Sequence, residues 1–374
     1  MTSADGSIRV ALLSPCFWPE VRRGGERIVR ELADGLLERG HHPRLITSHR
    51  GRPTRTVEDG LPIARNWRPP GGRLYRRNFE DHLTHVPFSY LSLRRGEDDI
   101  AHAVYPTDAL AAARWTERTG RPSILAYLGI PNQEGLAHRR LRIDVTLRAI
   151  EGCTAVTALS RTAADAFGRW LGVDAQVTYP GVDLEAFTPG DGRAPEPTVF
   201  CAAATDEPRK RVDLLARAVP LVRRERRDVR LVVMRPSALG AEERLRGLDP
   251  EIRFAETVER PADLAPHYRA AWVSVLPSFA DSFGIVLVES LACGTPVVGS
   301  DRGAIPEVID REAIGQLFEG EEPEALARAL LEAFELAEDP ATPAACRARA
   351  GDFSTERSVA AYEELYRKLL GRTG

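Results

Sequence analysis

Several features that would place a chain outside a reducing, aqueous compartment are missing from this sequence. Its five cysteines (Cys16, Cys153, Cys201, Cys293 and Cys346) are scattered, with no C-x-x-C and no histidine at metal-ligand spacing. That pattern argues against a disulfide scaffold and against a zinc site, and no metal is expected. No apolar run approaches the roughly 20 residues needed to span a bilayer. The opening MTSADGS has neither the charged nor the apolar region of a secretory signal. Basic excess is absent too: the formal net charge is −3, whereas a dedicated nucleic-acid binder usually carries a clear positive balance. There is no internal repeat and no long low-complexity tract. These absences lead to the expectation of a soluble, cytoplasmic protein with no nucleic-acid partner.

What is present is an ordinary globular composition, 43% hydrophobic and 28% charged, spread over 374 residues. That length exceeds one typical core, and two domains are the natural expectation. Short apolar runs alternate with amphipathic stretches throughout. Ile8 to Ser14 reads as a strand, Glu26 to Arg39 as a helix stopped by Gly40, and Pro43 to Thr47 as the next strand. Further strands are expected at Asp99–Tyr105, Ser123–Leu128, Ala155–Leu159 and Gln176–Tyr179. The stretch GVDLEAFTPGDGRAPEPT, 181–198, is dense in Gly and Pro and reads as an inter-domain linker. The rhythm restarts with strands at Val199–Ala204, Val229–Met234, Ile252–Ala255 and Trp272–Leu276, and a helix at Val212–Arg224. Alternation of this kind predicts parallel sheets covered by helices on both faces. The expected domains are 1–180, 199–354, and a last helical segment at 355–374.

Residues 277–307 read PSFADSFGIVLVESLACGTPVVGSDRGAIPE. A loop carrying Asp281 follows an apolar strand, and a helix begins near Gly284. Backbone N–H groups at such a start favour an anion, and glycine admits a close ligand. Glu289, about a turn and a half further, leans back toward the same crevice. One carboxylate could grip hydroxyls at one end of a nucleotide sugar and the other those at the far end. The plainer alternative is a loop aspartate beside a solvated helix glutamate. The segment resembles the E-x7-E signature of retaining family 4 glycosyltransferases, including their C-G-T-P-V-V and G-x-x-P-E runs. The resemblance implies that Asp281 contacts the donor sugar and Glu289 the ribose, with Phe283, Gly284 and Ile285 lining sugar and phosphate. The first acid is here an aspartate, one methylene shorter.

Residues 206–210 read DEPRK, between a strand and a helix. Adjacent cations at such a turn suit a diphosphate, although a basic pair alone is more often solvated surface. The stretch resembles the family's G-R-x-x-x-P-R-K-G phosphate clamp. Lys210 matches its lysine, Ala204 stands at its arginine and Arg211 at its final glycine, so Arg209 or Arg211 is the candidate for the missing charge. Near the N-terminus, Gly24-Gly25-Glu26-Arg27 opens a helix and resembles the family's G-G-x-E-R stretch, which lines the active cleft. At Ala126-Tyr127-Leu128-Gly129, many family members have a histidine before the glycine, and this chain has Leu128. An apolar group there would leave a ligand hydroxyl unpaired at a cost of about 1–3 kcal/mol. Either the substrate is less polar at that point, or the residue has changed without a change of substrate. Asp108, Asn132, Gln133, Glu134 and Arg161 are further acceptor-site candidates. Five arginines between Arg65 and Arg77, among Trp67, Pro69, Pro70 and Tyr75, read as a mobile, solvated loop or as a weak peripheral contact for anionic lipid headgroups.

The resemblance covers nearly the whole chain. It implies an α/β, GT-B fold: two Rossmann-like, doubly wound domains facing across a cleft, with the C-terminal helix crossing back to the N-terminal domain. It implies transfer of a sugar from a nucleoside-diphosphate sugar, with retention, to a small-molecule or lipid-linked acceptor, and no cofactor or metal. Asp281, Lys210 and Arg209 would carry the chemistry, and domain closure would exclude water. Two rivals share the nucleotide crevice: a sugar-nucleotide epimerase and a non-catalytic nucleotide-sugar-binding protein.

Overall fold

The computed structural model describes residues 6–21, 24–258 and 260–371; residues 1–5 of the MTSADGS stretch lie outside that range. The chain divides into two compact units, residues 1–181 with 355–374, and residues 182–354.

The first unit is built on eight strands: β1 Arg9–Leu13, β2 His42–His49, β3 Thr54–Glu58, β4 Leu61–Trp67, β5 Ile100–Ala103, β6 Ser123–Tyr127, β7 Ala155–Ala158 and β8 Gln176–Val177. Their order is β3-β4-β2-β1-β5-β6-β7-β8. All neighbours are parallel except the β3–β4 pair. Helices cover the faces of this sheet, so the central strands must be apolar on both sides. In β1, Val10, Ala11, Leu12 and Leu13 are all fully buried. The first crossover helix, Gly24–Glu38, ends where Gly40 takes a left-handed φ of 77° and the His41 N–H bonds the Leu36 carbonyl at 2.9 Å.

The second unit holds β9 Thr198–Cys201, β10 Arg230–Met234, β11 Arg253–Ala255, β12 Val273–Leu276, β13 Val297–Ser300 and β14 Gly315–Phe318. The order is β11-β10-β9-β12-β13-β14, with every pairing parallel. Every residue of β9, β12 and β13 is buried. In both sheets the strand order reverses beside the first strand, between β1 and β5 and between β9 and β12. Ligands of doubly wound sheets bind outside the carboxyl ends of the strands at such switch points.

Two stretches differ from their sequence reading. Of the expected linker, 181–198, residues 182–198 fall within the second unit: Phe187 is buried, and Arg347 donates to the carbonyls of Leu184 and Phe187 at 2.7 and 2.5 Å. The Arg65–Arg77 stretch is not uniformly a solvated loop. Its first residues complete β4, where Arg65 is buried because it donates to both Glu58 oxygens, at 2.6 and 3.0 Å. Arg68 is buried likewise, donating to the Pro15 carbonyl and pairing with Glu20.

The last helix, Thr355–Leu369, packs in the first unit against the helix Gly24–Glu38. Gly35 permits the approach, since a Cβ there would lie 2.5 Å from Val359 Cγ2. Tyr362 and Tyr366 reach across to the sheet, to Thr157 at 3.3 Å and to His102 Nδ1 at 2.6 Å. Among the described residues no helix is long and apolar enough to cross a membrane.

Candidate functional site

The second unit brings two loops together at its switch point, one after β9 and one after β12. The β9 loop tightens into a 3₁₀ turn at Pro208–Lys210 and enters the helix Val212–Glu225 through Arg211. The β12 loop runs from Pro277 to Gly284 and enters the helix Ile285–Ala292. Main-chain bonds zip them: Phe279 N–H donates to the Arg209 carbonyl at 2.8 Å and Ser278 Oγ to the same carbonyl at 3.2 Å. Arg209 returns a bond to the Ala280 carbonyl at 3.2 Å.

This places Lys210 against Asp281. The Lys210 ammonium donates to Asp281 Oδ2, Arg209 stands 4.0 Å from the same oxygen, and Gly284 N–H donates to Asp281 Oδ1 at 3.2 Å. Asp281 is buried, Lys210 half-buried and Arg209 exposed, the last also paired to Glu207 at 2.7 Å. Of the 51 cationic side chains, only Lys210 and Lys368 are lysines. A compact ammonium, rather than a planar guanidinium, thus stands at this one internal position.

The remaining motif residues support the Asp281 loop. Gly284 has φ 91°, a left-handed entry to the helix that favours glycine. Phe283 is buried with its ring 5.1 Å from that of Phe353. The G-x-x-P-E run supplies Gly303, φ 62°, where a Cβ would lie 2.7 Å from the Asp281 carbonyl oxygen, and the next N–H, Ala304, donates to that oxygen at 3.0 Å. Ile285 is half-buried at the first turn of the helix.

Glu289 is neither solvated nor open to a crevice. It is wholly buried, and its Oε2 accepts a hydrogen bond from the Tyr268 hydroxyl at 2.6 Å. The reason is the helix itself: every residue from Leu287 to Ala292 is buried, so its second turn has no solvent face. Tyr268, from the short helix Ala265–Ala270, could not be paired with Glu289 from sequence spacing. Arg211 keeps a left-handed φ of 54° and lines a cavity of about 360 Å³ of mixed charge, with Arg217 and Arg244 beside Asp206, Glu207, Asp213 and Glu321. Its Nη1 is buried and has no hydrogen-bond acceptor among the described residues. Ala204, at the position of the family's clamp arginine, is exposed.

In the first unit, Gly24 and Gly25 begin the helix Gly24–Glu38. Among the described residues nothing lies within 4 Å of a Cβ position on Gly24, whereas a Cβ on Gly25 would lie 2.9 Å from Leu128 Cδ1, so the Gly24-Gly25 turn and Leu128 are neighbours. Asp108 is not available to an acceptor. It is fully buried and bonded to the equally buried His85 Nε2 at 2.9 Å. Asn132 caps the helix Gln133–Ala137 by accepting from the Gly135 N–H at 2.7 Å, while Gln133, Glu134 and Arg161 are exposed. Sequence reading missed a polar group beyond β5 and β6. There Arg142 grips both oxygens of the buried Glu80, at 2.6 and 3.0 Å, and burial pushes the nearby Tyr105 phenol up to about 12. Among the described residues no group of three His, Cys, Asp or Glu side chains gathers at metal-binding distance.

Two family models match, one after the other. The model for Glycosyltransferase Family 4 matches residues 22–186, and that for Glycosyl transferases group 1 matches residues 196–335. Among curated relatives, a D-inositol 3-phosphate glycosyltransferase of Streptomyces scabiei is 35% identical over 215 residues, 51% of this chain and 48% of that protein. One from Paenarthrobacter aurescens is 27% identical over 383 residues, 93% of each. The matches to the more similar relatives thus span about half of those relatives' length or less. Among solved structures, sucrose-phosphate synthase from Thermosynechococcus elongatus superposes with a TM-score of 0.80 at 20% identity, covering 98% of this chain and all of that one. HepE from Anabaena, solved in complex with UDP, gives 0.74 at 18%, covering 96% and 100%. The fold and both models define a GT-B glycosyltransferase. Within that class, residues 22–186 are similar to Glycosyltransferase Family 4.

Proposed function

We propose that this protein transfers a sugar, with retention, from a nucleoside-diphosphate sugar to a small or lipid-linked hydroxylated acceptor. The observation that carries the reading is the pairing of Lys210 with Asp281 on the loops that follow β9 and β12, the two strands of the switch point. Transfer develops positive charge on the sugar and negative charge on the departing diphosphate. An ammonium beside a carboxylate offers one partner to each. On donor binding, Lys210 turns from Asp281 to the diphosphate, with Arg209 and the unpartnered Nη1 of Arg211 adding positive charge. Asp281 is then free to accept from a sugar hydroxyl, its loop held by Gly284, Gly303 and Ala304. Glu289 grips the ribose only if the Tyr268 bond opens or is shared. Gly24, Gly25 and the half-buried Leu128 line the acceptor side, where Leu128 supplies no base. The departing phosphate therefore takes the acceptor's proton.

Nucleotide release tests this directly. The purified chain is incubated with UDP-, GDP- and ADP-sugars and an acceptor panel, including inositol phosphate because of the relatives' name. Product mass and anomeric configuration are then read. One donor series is expected to be consumed in an acceptor-dependent way, with retention. Lys210→Ala and Asp281→Asn should each lower kcat by about a hundredfold or more. Donor turnover without an added mass on any acceptor would point to epimerisation. Donor binding without turnover would point to a binding protein.

A further inference from the structure

The first unit carries a cavity that the donor chemistry does not use. It lies at the carboxyl ends of β2 and β4, has a volume of about 290 Å³, and is lined chiefly by Phe17, Trp18, Glu20, Thr47, Arg50 and Arg65. Single-ring ligands need no more room than this, since ligand pockets run upward from roughly 300 Å³. Most of its exposed lining is apolar. The Phe17 and Trp18 rings stack with centroids 5.4 Å apart, which gives a planar ring a surface to lie on.

Its polar groups are unequally occupied. Arg65 is committed to Glu58, Thr56 and the Trp18 carbonyl, at 2.6 to 3.0 Å, and so fixes the Trp18 wall. Glu20 is paired with Arg68. Arg50 is exposed at the rim and has no carboxylate partner among the described residues. Thr47, register partner of Arg65 on the neighbouring strand, is 1% exposed, and its hydroxyl is buried without a hydrogen-bond partner among the described residues. Buried polar groups in folded proteins are nearly always satisfied, so the orphan hydroxyl of this cavity-lining residue calls for a guest with a polar atom.

We propose that this cavity binds a planar, hydroxylated ring bearing an acid group, an arenecarboxylate. The ring lies against Trp18, the ring hydroxyl meets Thr47, and the carboxylate meets Arg50. This does not depend on the transfer reading, because the site is defined by binding alone.

The probes are 4-hydroxybenzoate, 4-hydroxybenzamide and benzoate, titrated into the full chain with saturation-transfer NMR as the readout. The hydroxy acid is expected to bind saturably in the millimolar range, with the amide weaker by about fivefold, the upper end for an exposed ion pair. Arg50→Gln should lower the acid to the level of the amide and leave the amide unchanged. Thr47→Val should erase the advantage of the hydroxy acid over benzoate. If Thr47→Val does not fold, Arg50→Gln on the exposed rim carries the test alone. Absence of saturable binding, equal binding of acid and amide, or wild-type binding by Arg50→Gln would overturn the proposal. Displacement of the acid by UDP would assign the signal to the donor site and overturn it equally.

Discussion

The hydroxyl of Tyr268 donates to Glu289 Oε2 at 2.6 Å, and both side chains are wholly buried. Tyr268 is itself held by the rings of Phe187 and Phe200, with centroids 6.0 and 5.3 Å away, and its carbonyl accepts from Thr295 Oγ1 at 2.8 Å. The second acid of the signature is thus positioned by a residue 21 positions earlier. Removing the hydroxyl with Tyr268→Phe keeps the packing and leaves a buried carboxylate oxygen short of a donor. Stability in urea should fall by about 1–3 kcal/mol. With Glu289 on the ribose, the donor KM should rise several-fold while kcat changes little. A KM within twofold of the wild type would leave Tyr268 with a structural role only.

Gly303 is the hinge of a second prediction. Alanine there meets two penalties: a left-handed φ of 62° and a Cβ 2.7 Å from the Asp281 carbonyl oxygen. Gly320, φ 86°, meets only the first, since among the described residues nothing lies within 4 Å of its Cβ position. Both substitutions should cost about 1–2 kcal/mol in backbone strain. Only Gly303→Ala should also lower kcat, by tenfold or more, because the carboxylate of Asp281 moves with its main chain. Equal activities for the two variants would show that the Asp281 loop tolerates the shift.

Mild acid should destabilise the first unit through two histidines. Burial pushes His102 down to about 3, and burial followed by the nearby His85 pushes His82 down to about 4. In the unfolded chain both titrate near 6.5. As pH falls below that value, the unfolded state takes up protons that the folded state refuses, so stability drops until the folded values are reached. At pH 5 the loss is roughly 2 kcal/mol per imidazole relative to pH 7. Urea midpoints measured at pH 7 and pH 5 should show it, and His102→Asn should remove about half of the difference.

Cysteine chemistry offers a check on the packing. All five thiols are pushed upward, chiefly by burial: Cys153 and Cys201 to about 11, and Cys16, Cys293 and Cys346 to about 12. Thiolate is the reactive form, so native protein at pH 8 should resist iodoacetamide for hours. All five residues should alkylate within minutes in guanidinium, as read by intact mass. A thiol that reacts rapidly in native protein would mark a segment that opens locally.

The alternation of strands and helices was legible because most strands are short and apolar, and central ones such as β9, β12 and β13 are buried on both faces. The motif loops were legible for a related reason: a glycine such as Gly284 and a lysine such as Lys210 follow an apolar run, so the sequence marks where a sheet ends and ligand chemistry begins. The β3–β4 hairpin was not. Its strands carry Arg55, Arg65 and Glu58, whose charges read as solvated until the Arg65–Glu58 pair forms across the two strands. Local sequence carries no record of a partner that pairing alone supplies.

The sequence by itself determined the parallel α/β architecture, the positions of the two signature carboxylates, and the turn that carries Arg209 and Lys210. These depend on local periodicity and on turn chemistry within a few residues. Tertiary structure decided which of those groups are open. It turned Asp108 inward to His85, enclosed Glu289 under Tyr268, set Lys210 on Asp281, and brought Gly25 against Leu128. Burial and pairing depend on residues tens to hundreds of positions apart, and only the folded chain sets the distances between them.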